Sequence, residues 1–154
     1  MPGGAVYGAT AIPQYNQILG TNFPVVSVGC AVSDIMYFDF PARGYTSGDI
    51  TVKIYWYAAA TTGNVKWETA VGAITVGTDT GSFEAKAFAT ATSTQTATNA
   101  NAKAGSTTTI TITGASLDAL AANDFVELYV KRIAASASEM TGDALFLFAT
   151  VSWP

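Results

Sequence analysis

The chain has 154 residues, of which 49% are hydrophobic and only 12% charged, and its formal net charge is −4. That length fits one domain, and a domain of this size buries roughly 68–70% of the surface its unfolded chain exposes. Seven scattered Lys and Arg residues form no patch to neutralise a run of phosphates or to hold an anionic membrane, so neither nucleic acid nor a membrane is expected as a partner.

Residues 1–22 read differently from the rest. Met1 to Val6 lacks a basic and an apolar region, so no signal peptide is expected. Gly3, Gly4, Gly8 and Gly20 alternate with Tyr7, Ile12, Tyr15, Ile18 and Leu19, too many large apolar groups for a disordered tail. The segment fits either an edge strand on its own domain or an extended N-terminal arm that orders against a neighbouring subunit. It is set apart from residues 23–154 as the second of these.

From Phe23 onward a period of two governs. Phe23–Val32 and Asp34–Phe40 read as strands, with Cys30 a small buried hydrophobe. One cysteine excludes an internal disulfide and suits a reducing cytoplasm. Asp49–Ala58 places Ile50, Val52, Ile54 and Trp56 on one face, against Thr51, Lys53, Tyr55 and Tyr57. Val65–Val76 and Ser82–Thr90 read as further strands. Ala89–Ala104 fits a flat strand or a long loop equally well. Thr107–Thr113 alternates, Ala115–Ala122 reads as a short connection with one helical turn, and Asp124–Ile133 sets Val126, Leu128 and Val130 against Glu127, Tyr129 and Lys131. Asp143–Trp153 carries Leu145, Leu147, Val151 and Trp153 on one side and Phe146 and Phe148 on the other. A strand apolar on both faces is central between two layers or open to a partner. Breakers at Pro41, Gly44, Gly48, Gly63, Gly77, Gly105, Gly114 and Gly142 separate the runs. About eight strands so punctuated predict an all-β antiparallel sandwich or barrel.

Chemistry is sparse. The chain has no histidine, which removes Ser-His-Asp and Cys-His catalysis and the commonest zinc and copper sites. A carboxylate pair drawn from Asp34, Asp39, Glu68, Glu84, Glu127, Glu139 and Asp143 remains formally open for glycoside hydrolysis. Turns and strand pairing account for most of these, and Asp79, Asp118 and Asp143 are too isolated for a calcium ladder. No catalytic residue, cofactor or metal is therefore expected, and the chain reads as a non-enzyme. Tyr55, Tyr57 and Trp67 suggest a stacking platform for a sugar. The other reading puts Trp56 and Trp67 in the core and the tyrosines at a protein interface, and the low charge favours it.

The run Phe40-Pro41, then Gly48 to Trp56, Thr62 to Trp67, Leu120 to Val126, Lys131-Arg132 and Thr141 to Leu145 resembles bacteriophage virion proteins with a small jelly-roll domain. Those proteins usually have a Gly-Asp pair before the second-last strand, where this chain has Asn123-Asp124. The resemblance, which covers about Phe38 to the C-terminus, implies a jelly-roll sandwich and a structural virion role. The function it points to is a capsid decoration (cement) protein of a tailed phage, made in the host cytoplasm and located on the capsid surface. Its implied partners are the major capsid protein and further copies of itself, as a homotrimer. The expected interface is Tyr7, Ile12, Tyr15, Ile18 and Leu19 of the arm with Tyr55, Tyr57 and Tyr129. The alternative is a tail-fibre or appendage module that binds host glycans.

Overall fold

The computed structural model describes residues 6–7, 14–19 and 24–154, with only the backbone described as far as Pro24. The described residues form ten strands: β1 (Val6–Tyr7), β2 (Gln14–Leu19), β3 (Pro24–Cys30), β4 (Ile35–Pro41), β5 (Ile50–Tyr57), β6 (Asn64–Ile74), β7 (Thr92–Ala97), β8 (Gly105–Ile112), β9 (Phe125–Ile133) and β10 (Ala144–Ser152), of which β3–β6 and β8–β10 fall in the runs whose alternation predicts strands. They form two antiparallel five-stranded sheets, ordered β1-β4-β9-β6-β7 and β2-β3-β10-β5-β8. The fold is thus the all-β jelly-roll sandwich read from the sequence. Each sheet turns one face inward, and the two inner faces interdigitate as a single core.

Ile50, Val52, Ile54 and Trp56 of β5 are fully buried, as are Ile110 and Ile112 of β8 and Val126 and Val130 of β9. Trp56 donates its indole N–H to Thr108 Oγ1 (2.9 Å), which itself bonds to Thr96 Oγ1 (2.9 Å), so a polar thread ties β5 and β8 to β7 of the other sheet. Arg132 also points inward. Its guanidinium donates to Cys30 O, Gly142 O and Met140 O and pairs with Glu139 Oε1 (2.7 Å). It thereby pins the loop before β10 against the end of β3.

Two local expectations change and one open alternative closes. Ser82–Thr90 is not a strand but an irregular loop with a 3₁₀ turn at Phe83–Ala85, because no sheet edge lies alongside it to pair with. The undecided stretch 89–104 contains β7, an edge strand paired with β6. In β10 a bulge at Leu147 shifts the register on β5 from Phe146↔Trp56 to Phe148↔Tyr55. One inserted residue exchanges the two faces of a strand. Phe146 therefore enters the core, as do Val151 and Trp153 farther on, while Phe148 faces out and is 50% exposed. Part of the two-faced character of this strand is thus a change of register at Leu147, with Phe148 left on the outer face.

Cys30 is buried in the core with its thiol near Val28 O (3.6 Å). Burial, helped by the nearby Asp34 carboxylate, pushes the thiol up to about 12 from 9.0. Its contribution to stability is complete below pH 9 and declines as pH rises towards 12, because the unfolded thiol then ionises while the folded one resists. A thiol reagent at pH 8 is expected to leave the native chain unlabelled and to label it fully in denaturant. Rapid native labelling would show that the core is open there.

Candidate functional site

The outer face of the first sheet carries, in register, Tyr37 opposite Tyr129, Asp39 opposite Glu127, and Pro41 opposite Phe125. On β6 the same face has Ala70, Gly72 and Ile74, opposite Tyr129, Glu127 and Phe125. These three small or aliphatic residues are buried although they face away from the core. The loop from Thr75 to Ala91 folds back over them. A Cβ on Gly72 would lie 3.6 Å from the Phe88 ring, an ordinary contact distance, so that ring lies over the glycine.

Two anchors hold the loop in place. Ala89 N–H donates to Val71 O (2.9 Å) at its far end. Asp118 Oδ2 accepts from Ala73 N–H (2.8 Å) and from Lys86 Nζ (2.8 Å). At the near end Asp79 closes a turn onto Thr75 N–H (2.9 Å). The buried Asp124 accepts from Thr75 Oγ1 (2.7 Å) and Ala121 N–H (2.7 Å), so the Asn123-Asp124 turn supports the start of the loop.

Between loop and sheet lies a cleft of about 380 Å³. Its sheet wall is Tyr37, Asp39, Phe125 and Glu127, its loop wall Phe83, Glu84, Lys86 and Phe88, and its base Gly72 and Ile74. Phe88 sits edge-on to Tyr129 (centroids 5.1 Å) and tilted on Tyr37 (6.0 Å), while Phe83 leans on Phe125 (5.7 Å) and remains 54% exposed. Tyr129 donates to Glu68 Oε1 (3.0 Å). Burial and that hydrogen bond raise the phenol above the ordinary tyrosine range, which keeps it a neutral donor fixed behind Phe88. Rings that offer apolar faces beside carboxylates that accept hydrogen bonds suit a ligand with both C–H faces and hydroxyl or amino groups. Among the described residues no three His, Cys, Asp or Glu side chains come together as a metal site.

The residues singled out in the sequence are dispersed. Tyr55 and Tyr57 lie on the second sheet, where Tyr55 stacks on Phe148 (4.3 Å) and Tyr57 is buried and bonded to Ser27 Oγ (3.2 Å). Trp67 is fully buried on the inner face of β6, so it shares no platform with them. Tyr129 is on the opposite sheet, at the back of the cleft. The backbones of Tyr15, Ile18 and Leu19 pair with Val28, Val25 and Pro24 of β3, and that of Tyr7 with Met36 of β4. Ile12 and the side chains of the other four lie outside the described residues. Tyr37, Phe83, Phe88 and Phe125 do not stand out as a group in the sequence. The signal for it was Ala70 and Gly72, small residues at alternate positions of an otherwise bulky strand.

No protein-family model matches the chain, and no curated protein matches it either. Solved structures do. The whole sandwich is similar to that of a family 35 carbohydrate-binding module from an environmental isolate (TM-score 0.53, 11% identity, 98% of this chain and 89% of that one). It is similar also to the CBM22-1 xylan-binding domain of Paenibacillus barcinonensis (0.52, 5% identity, 96% and 84%). A third is a Cellvibrio mixtus lichenase module in complex with cellotriose (0.51, 10% identity, 100% and 99%). These comparisons overturn the capsid-decoration function expected from the sequence, since these three similar jelly rolls are carbohydrate-binding modules. The major capsid protein as partner and the virion as location lose the reading that supported them.

Proposed function

We propose that the chain is a non-catalytic carbohydrate-binding module whose site is the cleft between the outer face of the first sheet and the loop over it. The observation that carries this is the ring pair Tyr37–Phe88 beside Phe83–Phe125, interleaved with Asp39, Glu84 and Glu127. Sugar rings bind by laying C–H faces on aromatic rings while fixed acceptors take their hydroxyls. The sugar-binding roles of the similar sandwiches, named for xylan and cellotriose in two cases, support the same reading.

Three carboxylates in one cleft also raise the reading of a glycoside hydrolase. Such an enzyme protonates its leaving group from a carboxyl sheltered from water. Asp39 and Glu84 are exposed and Glu127 is half-buried, so none is sheltered from water as that role requires. Binding without turnover follows. A glycan array is expected to return a reproducible set of oligosaccharides, none shortened on prolonged incubation. Chain cleavage of a bound glycan overturns the non-catalytic part, and an empty array overturns the whole proposal.

A further inference from the structure

The charges around the cleft are unbalanced in a way that the fold does not require. Asp39 faces Glu127 directly across the β4–β9 ladder, and like charges so opposed destabilise a sheet. Glu84 overhangs them from the loop wall. Among the described residues none of the three makes an ion pair or a side-chain hydrogen bond.

Among the described residues Lys86 is the one cation that lines the cleft. Lys86, though in the cleft wall, is held at 2.8 Å by Asp118, and Arg132 is buried against Glu139. Lys53 lies over Tyr55 on the other sheet (5.4 Å), and Lys131 is the register partner of Glu68. Residues 1–42 contain no Lys or Arg at all. The three carboxylates do not converge as a metal site. They are distributed along a cleft whose rings present negative π faces, and cations are drawn to such faces.

We infer, on the basis of the carbohydrate reading, that the ligand is a cationic amino sugar: an oligomer of glucosamine with free, protonated amino groups. Its ring faces stack on Phe83 and Phe88 while its ammonium groups approach Asp39, Glu84 and Glu127. A neutral hexose fills the same space but leaves the opposed carboxylates uncompensated.

Calorimetric titration of the full chain with the hexamers of glucosamine, N-acetylglucosamine and glucose, and with hexalysine, tests this. The glucosamine hexamer is expected to bind about tenfold or more tighter than the other two sugars at low salt, since two or three ion contacts at a surface are worth on that order. The margin shrinks at high salt. The double variant Asp39→Asn, Glu127→Gln is expected to erase the margin and to melt at a higher temperature than the parent. Equal affinities for the three sugars, or a margin that survives in the variant, overturn the amino-sugar inference and leave the carbohydrate reading standing. Absence of binding to every sugar overturns both. Hexalysine binding that matches the glucosamine hexamer and persists in Phe83→Ala overturns the inference in favour of a cationic peptide.

Discussion

Arg132→Ala is expected to lower the unfolding free energy by roughly 3–5 kcal/mol, a large share of what a domain of this size has to lose. The guanidinium is 1% exposed and serves three carbonyls and one carboxylate at once. Its removal leaves Cys30 O and Met140 O without this donor in the buried interior, and each such orphan costs about 1–3 kcal/mol before relaxation. Lysine does not replace it, because a single ammonium cannot reach the same set of acceptors as a planar fork. Glu139 is a third exposed on its side chain, and water takes over much of its charge, so Glu139→Gln is expected to cost only about 1 kcal/mol. Urea unfolding followed by tryptophan fluorescence reads both. Equal losses for the two variants would mean that the ion pair, rather than the carbonyl clamp, supplies the stabilisation.

Phe88→Ala is expected to weaken oligosaccharide binding by on the order of tenfold to a hundredfold, the loss of one stacked ring and the area it buries. Phe88 lies over Gly72 and packs on Tyr37 and Tyr129, so its loss also loosens the loop at its junction with the sheet. Phe83→Ala separates the two effects. Phe83 is exposed in the loop and contributes little to the core, yet it forms one wall of the cleft with Phe125. Binding is expected to fall in both variants, and the melting temperature to fall in Phe88→Ala alone. Tyr55→Ala, on the other sheet, is expected to leave binding unchanged.

The fold was legible where one face of a strand is buried and the other wet. In β5, β8 and β9 the inward set has no alternative register, since a slip of one residue exposes Ile54 or Val130 to water. In β10 the alternation misled, because Leu147 is an inserted residue that periodicity counts as an ordinary one. Phe146 and Phe148 share a side when counted in the sequence, yet in the folded strand the first is in the core and the second faces out. Ser82–Thr90 misled for another reason: alternation describes side-chain directions, and cannot report whether a neighbouring edge has free N–H and C=O groups to pair with. That segment crosses the face of the sheet instead of extending it, and it is the segment that makes the cleft.

The site was therefore less legible than the fold. Its walls come from β4, β6, β9 and a loop, brought together by register pairs more than 50 positions apart in sequence, such as Gly72↔Glu127. Trp67 and Tyr57 stood out as large aromatics, yet both are buried. Ala70 and Gly72 gave the better clue, because an outward stripe of small residues on a central strand implies that something lies on top of it.

The most direct test is a nuclear magnetic resonance titration of the uniformly labelled chain with oligomers of glucosamine, N-acetylglucosamine, glucose and xylose. At least one is expected to shift the signals of Tyr37, Gly72, Phe83, Phe88 and Phe125 together while those of Tyr55 and Phe148 stay in place. No shift with any sugar, or shifts confined to the Tyr55–Phe148 face, would contradict the assignment of carbohydrate binding to this cleft.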